Sequence, residues 1–277
     1  MKKLFTLAIA LVFMTGVAFA QDNEATVIQG DGNEAEITQT GEENEVYLRQ
    51  LNFGAGHFAD IQQVGERNDV NVNRSQGNLR NEIYTYQEGD DNDIEIQVQQ
   101  NAREADVSQI GDNNEAIVEQ RHAGIQTDVE ISQYGDWNFA DIEQQGASGM
   151  SADITQDGRV DASEDEGNWV GLDQSEGENA VAVVMQDGRS NVITAVEQSS
   201  SLSLLDETSA IQRGTFYADQ LGDENVIGLY QNSTGGFADI MQSGDANEAL
   251  IYQDGANTAN VTQEGGGNEL SLTQQGN

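Results

Sequence analysis

The stretch NEAEITQTGEENEVYLRQ, residues 33–50, writes one pattern twice. Asn33, Ala35, Ile37 and Gln39 occupy alternate positions, and Asn44, Val46, Leu48 and Gln50 follow in the same order. The pattern N-x-A-x-I-x-Q-x-G-x-x-N then recurs almost end to end. Copies include Asn23-Ala25-Val27-Gln29, Asn114-Ala116-Val118-Gln120, Asn138-Ala140-Ile142-Gln144, Asn225-Ile227-Leu229-Gln231 and Asn247-Ala249-Ile251-Gln253. Partial copies such as Ala59-Ile61-Gln63 and Val129-Ile131-Gln133 fill the intervals. About twenty such half-units, mostly some 10 to 13 residues apart, make a repeat array rather than a conventional domain.

Residues at i, i+2, i+4 and i+6 of a strand share one face. Glu, Asp, Thr and Tyr fill the alternate positions and face water. G-x-x-N supplies a turn, because Gly tolerates left-handed φ while Asp and Asn bond their own backbone. A hairpin arrangement would leave a flat sheet with one bare apolar face. An arc instead sets the two strands of a unit against each other across a thin core, with units stacking at about 4.8 Å. The expected fold is all-β, a β-solenoid of stacked strand–turn–strand (β-arc) repeats, amyloid-like cross-β, of about ten rungs and roughly 50 Å long. In such a stack the amides fall in columns, where each can bond its counterpart in the next rung.

Residues 1–20 stand apart. Lys2 and Lys3, the apolar run Leu4–Met14 and Ala18-Phe19-Ala20 read as a cleaved signal peptide, the run being short for a membrane span. The repeat region is then 21–277, irregular or looped at 157–167 and 199–215. Removing the two lysines leaves nine arginines against 49 carboxylates, a net charge of −40. Such acidity argues against nucleic acid and anionic lipid as partners. The absence of Cys excludes disulfides and thiolate chemistry, and the absence of Pro leaves every N–H free for a ladder.

The repeat resembles the curlin repeat of bacterial curli subunits, over most of residues 23–277. The resemblance implies a secreted structural subunit, exported through the periplasm, that self-assembles into extracellular curli-like amyloid fibres at the cell surface, in biofilm and adhesion. It implies a homopolymer, a nucleator subunit and an outer-membrane secretion channel as partners, with no cofactor, metal or enzyme activity and no membrane insertion after signal cleavage. The family's stacking positions carry over to Asn33, Gln39, Asn44, Gln50, Asn114, Gln120, Asn138, Gln144, Asn225, Gln231, Asn247, Gln253, Asn257, Gln263, Asn268 and Gln274. The pattern runs from Asn23 to Gln274 with no capping element in view, so head-to-tail addition is expected. The alternative is a monomeric acidic solenoid binding calcium or a surface or carbohydrate ligand.

Other residue types point to structure before chemistry. His57 lies in a slot that Asn usually fills, and His122 is expected in a turn at 121–124. The corner carboxylates Asp31, Asp112, Asp136, Asp223 and Asp245 could hold Ca²⁺ weakly, but lack the nonapeptide of calcium-bound β-rolls and read as solvated turns. Arg49, Arg67 and Arg103 are scattered near turns, unlike the converging basic residues a polysaccharide lyase needs. Thr26, Thr38 and Thr262 are too sparse for an ice-binding row. Outward Tyr47, Tyr84, Tyr230 and Tyr252 suggest a contact stripe or simple β-propensity.

Overall fold

The computed structural model describes residues 22–30, 32–51, 56–75, 81–100, 104–123, 127–145, 150–158, 166–175, 181–195, 215–232 and 236–275. The expected signal peptide, Asp31, Arg103, and most of the two irregular segments lie outside them.

Among the described residues the chain forms 21 strands in two parallel sheets, and strands alternate between the sheets in chain order. The odd sheet holds β1 (Glu24–Gln29), β3 (Glu45–Gln50), β5 (Asp69–Ser75), β7 (Asp93–Gln100), β9 (Glu115–Ala123), β11 (Phe139–Gln145), β13 (Trp169–Ser175), β15 (Val192–Ala195), β17 (Val226–Asn232), β19 (Glu248–Asp254) and β21 (Glu269–Gln275). The even sheet holds β2 (Glu34–Glu42), β4 (Phe58–Glu66), β6 (Glu82–Glu88), β8 (Glu104–Ile110), β10 (Thr127–Tyr134), β12 (Met150–Asp157), β14 (Val181–Asp187), β16 (Thr215–Leu221), β18 (Phe237–Ser243) and β20 (Thr258–Glu264). Each strand pairs with the strand two further along, so the chain is a two-sheet β-solenoid of ten and a half rungs, half a rung beyond the ten expected. No helix among the described residues is long and apolar enough to cross a membrane.

Register explains why small aliphatic residues suffice for the core. Ile37, Ile61, Thr85, Val107, Ile131 and Ile154 sit directly above one another in the even sheet. Val46, Val70, Ile94 and Ala116 do the same in the odd sheet. Interior copies of these positions are fully buried, while their i±1 neighbours face solvent. A two-sheet sandwich about 10 Å thick has room for one layer of side chains from each wall. Repetition thus replaces a deep core: each rung buries its apolar pair against the rungs on either side.

The two edges of the solenoid differ. Apart from 158–168 between β12 and β13, even strands lead to odd strands through four-residue G-x-x-N arcs, such as Gly41–Asn44, Gly65–Asn68, Gly89–Asn92 and Gly111–Asn114. We call this the tight edge. Its glycines have φ near +114° at Gly41 and +128° at Gly65, and a Cβ on Gly41 would sit 1.9 Å from the Gly65 carbonyl oxygen. Only glycine lets one arc lie on the next. The third arc residue also has positive φ, 56° at Arg67 and 58° at Asp91, and its N–H bonds the preceding arc, as in Arg67 N–H on the Glu42 carbonyl at 3.0 Å. Cross-rung bonding therefore continues around the bend. Odd strands return to even strands along the variable edge, where connections differ in length and sequence. The register itself slips there between Val98 and Gln100.

Both irregular segments leave the coil in register. β12 and β14 pair past residues 158–168, and β14 with β16 and β15 with β17 pair past 196–214. His122 falls within β9 rather than in the expected turn, because the strand runs on to Ala123.

Candidate functional site

The tight edge carries two continuous amide ladders. One runs through the Asn that opens each odd strand. Asn68 Nδ2 donates to Asn44 Oδ1 at 3.0 Å, Asn92 to Asn68 at 3.0 Å, and the series continues through Asn114, Asn138, Asn168, Asn191, Asn225 and Asn247 to Asn268. The same Oδ1 accepts a backbone N–H from the next rung, as Asn44 does from Asn68 at 3.1 Å. The second Nδ2 proton reaches a glycine carbonyl of the following arc, 2.7 Å from Asn68 to Gly89. The arc glycine and its Asn therefore form one unit.

The other ladder runs through the Gln near the end of each even strand. Gln39, Gln63, Gln87, Gln109, Gln133, Gln156, Gln186, Gln220 and Gln242 each donate Nε2 to the Oε1 of the next Gln, ending at Gln263, at 2.6 to 3.0 Å. The second proton crosses to the odd sheet, as from Gln63 to the carbonyls of Asn68 at 2.9 Å and Glu45 at 3.1 Å. The ladder thus holds the two sheets together as well as the rungs. The polarities are opposite: Asn donates toward the N-terminal end of the rod and Gln toward the C-terminal end.

The equivalent columns on the variable edge are broken. Gln29 donates to Gln50 at 2.9 Å, but the next two positions are Arg74 and Val98, and Gln50 Nε2 is buried without a partner. Arg74 takes the Gln slot and donates Nη1 to the Asn81 carbonyl at 3.1 Å, leaving Nε and Nη2 buried and unpartnered. Burial pulls its pKa down to about 9. Downstream, Gln120 resumes the column to Gln144 and Gln174, and Gln231 to Gln253 and Gln274. The Asn column here begins with Asn33. His57 replaces the next Asn, with Nδ1 accepting the Asn81 N–H at 3.2 Å as an amide oxygen would. Burial, then the nearby Arg74 charge, lowers its pKa to about 4, so the ring is neutral.

Of the expected stacking positions, Asn44, Asn114, Asn138, Asn225, Asn247, Asn268, Gln39 and Gln263 lie on the tight edge. Asn33, Asn257, Gln50, Gln120, Gln144, Gln231, Gln253 and Gln274 lie on the variable edge. The tight-edge ladders also use Asn68, Asn92, Asn168 and Asn191, and Gln63, Gln87, Gln109, Gln133, Gln156, Gln186, Gln220 and Gln242. Most of these residues sit in half-units that lack one amide; Asn168 and Gln87 sit in complete ones. The amides that work together belong to different half-units, joined by Q-x-G-x-x-N across the arc. That motif was visible in the sequence.

Asp112 and Asp245 are exposed, as solvated turns are, and the described corner carboxylates also accept hydrogen bonds from neighbouring arcs. Asp112 Oδ1 accepts the Asp90 N–H at 2.8 Å, Asp136 that of Asp112 at 2.9 Å, Asp223 that of Arg189 at 3.0 Å and Asp245 that of Asp223 at 3.1 Å. No group of three or more His, Asp or Glu among the described residues is arranged to hold a metal. Arg67 clamps Asp91 of the next arc, and Arg189 bridges Glu166 and Asp223. Arg49 donates to Asn73 at 3.1 Å. The four tyrosines form no single stripe. Tyr84 lies on the even sheet beside Phe58; Tyr47, Tyr230 and Tyr252 lie on the odd sheet. Only Tyr230 and Tyr252 stack, at 4.9 Å.

Outward carboxylates also align. Glu45, Asp69, Asp93 and Glu115 form one column of the odd face. Burial, then Asp93, Glu45 and Glu95, pushes Asp69 up to about 6. Asp173 reaches about 6 through burial, then Glu143 and Asp141.

A family profile of the curlin associated repeat matches residues 20–51, 30–65, 101–134, 127–158 and 237–265. The chain belongs to the curlin-repeat family. Curlin repeats define structural amyloid subunits of extracellular fibres, not enzymes. No curated protein matches the chain. The curlin matches leave residues 66–100 and 159–236 uncovered. Those stretches hold Arg74, Val98 and the irregular segment 199–215, yet the described strands within them continue the same parallel pairing, with a register shift between Val98 and Gln100.

Proposed function

We propose that this chain is a secreted structural subunit that adds end to end into extracellular amyloid fibres, serving as matrix or adhesive material outside the cell. A nucleating subunit and an outer-membrane export channel are the partners expected of a curlin. The observation that carries the reading is the state of the rod ends. β1 and β21 show the interior pattern without its burial: Leu270 and Leu272 are only half-buried and Ala25 is exposed. At the N-terminal end Gln39 Oε1, which should accept from a preceding rung, has no partner. At the C-terminal end Gln263 Nε2 bonds only the Glu248 and Asn268 carbonyls, with no further Gln to receive it. Among the described residues Gln39 Oε1 lacks a ladder donor and Gln263 Nε2 a ladder Gln, and a second copy would supply both.

The test is seeded growth. The purified mature chain, mixed with sonicated fragments of its own fibres, is expected to elongate without a lag and to diffract at about 4.8 and 10 Å. Growth is expected to quicken with salt, which screens the carboxylate columns. A chain that stays monomeric at high concentration, with seeds and high salt, contradicts the reading.

A further inference from the structure

The number of strands carries a consequence for how two copies meet. Among the described residues the outermost strands, β1 and β21, both belong to the odd sheet, which has eleven strands against ten in the even sheet. If the next copy were simply translated along the axis, its β1 would pair with β21 in the odd sheet. Its β2 would then lie one rung beyond the position adjacent to β20, and a strand-sized gap would open in the even sheet. Two strand edges would face that gap with unpaired N–H and C=O groups, an arrangement interior backbone avoids. Gln39 Oε1 of the incoming copy and Gln263 Nε2 of the receiving one would face it too, each still lacking its ladder partner.

Rotating the incoming copy by half a turn about the axis removes the gap. The two sheets run in opposite directions and carry the same inward order of small apolar residues and Gln, so the rotation exchanges them without changing polarity. The incoming β1 then fills the open position beside β20, and the incoming β2 pairs with β21. Ala25 and Val27 stack on Ala259 and Val261, and Ala35 and Ile37 on Leu270 and Leu272. Gln274 meets the orphan Oε1 of Gln39, and Gln263 meets Gln29. Every column continues, although the tight edge of one copy meets the variable edge of the next.

We propose that successive subunits in the fibre are related by this half-turn, so that β20 and β21 of one copy pair with β1 and β2 of the next. The proposal rests on end-to-end growth and adds its geometry: a twofold screw, in which the tight edge changes sides at each junction.

Single disulfides can read the junction because the chain has no cysteine of its own. Ser271, Asn260, Glu36 and Thr26 are exposed, outward and near the rod ends. Their columns are equivalent, and parallel in-register neighbours lie within disulfide range. The double variants S271C/E36C and N260C/T26C are expected to form covalent multimers on mild oxidation of fibres, and S271C/T26C is not. Cross-linking of S271C/T26C in place of the other two overturns the half-turn in favour of translation. Fibres in which none of the three pairs cross-links overturn it as well. Failure of the unsubstituted chain to form fibres is a separate result, and contradicts end-to-end growth itself.

Discussion

The two edges of this solenoid are made of the same residue types, yet one is strict and the other permissive. On the tight edge, glycine, Asn and Gln recur in almost every arc, and each amide bonds both its counterpart and the backbone of a neighbouring arc. On the variable edge, His57, Arg74 and Val98 take amide positions, and the parallel pairing continues past them with one register shift between Val98 and Gln100. The difference follows from how alike the connections are: apart from 158–168, the tight edge repeats one four-residue arc stacked on the next, whereas variable-edge connections range from 255–257 to 196–214. A four-residue arc has no slack, so a misfit in one arc is passed directly to the arc stacked on it. Connections that change from rung to rung share no common stacked arc, so a misfit in one is not handed to the next. Strictness tracks the mechanical coupling between neighbouring rungs more than burial, which is equal for Gln120 and Gln133.

Glycine gives the sharpest form of that contrast. Gly65→Ala would place a Cβ 1.9 Å from the Gly89 carbonyl oxygen at φ +128°. It is expected to lower stability by roughly 3 kcal/mol or more, through strain and clash together, read as the urea midpoint of the folded chain. Gly56→Ala, on the variable edge, has its nearest such atom at 3.6 Å and φ +66°. It is expected to cost about 1–2 kcal/mol, the left-handed penalty alone. Equal losses would remove the distinction between the edges.

Amide deletions test it next. Asn114→Ala removes bonds to Asn92, Asn138 and the Gly135 carbonyl and leaves buried partners unmet. A loss of about 3 kcal/mol is expected. Gln144→Ala, with one ladder bond on each side, is expected to lose about half that. Arg74→Gln is the converse. It returns an acceptor to Gln50 and removes a buried guanidinium with two unmet nitrogens, and is expected to raise the urea midpoint by about 1–2 kcal/mol.

The smallest expected effect is that of pH, and its sign is fixed by the carboxylates. Asp69 and Asp173 titrate near 6 when folded, above their ordinary value of 3.8. The folded chain therefore binds protons more tightly, and the stabilisation is complete below about 3.8 and lost as pH rises through 6. Asp93, Asp106, Glu104, Glu115, Asp141 and Asp219 are shifted the same way, chiefly by burial. His57 opposes them, since its folded value near 4 lies below the ordinary 6.5, so its contribution is lost as pH falls. One histidine against several carboxylates leaves stability rising from pH 7 to pH 5. The D69N/D173N variant is expected to flatten that slope; an unchanged slope would assign it elsewhere.

Much of this was legible in the sequence. Period two over seven residues, closed by G-x-x-N, specified strand, face and arc, and the recurrence specified stacking. What was hidden depended on neighbours that stacking creates. The repeat places His57 in an Asn slot, but nothing local marks Arg74 as a substitute for an amide or shows that both bond Asn81, a partner set by the fold. The Asp112 carboxylate reads only as a solvated corner until the Asp90 N–H of the adjacent arc is brought to it. Tyr47 and Tyr84 look alike along the chain and lie on opposite sheets. The half-unit N-x-A-x-I-x-Q was the natural repeat to read, but the amides act together across the arc.

Exchange of side-chain carboxamide protons, resolved by residue in the assembled state, probes the ladders directly. Asn and Gln of the tight edge, from Asn68 to Asn247 and Gln63 to Gln242, should exchange far more slowly than exposed Gln62. Gln50, with its unpartnered Nε2, should lie between. Tight-edge carboxamides that exchange as fast as Gln62 would mean that the amide columns are not bonded from rung to rung.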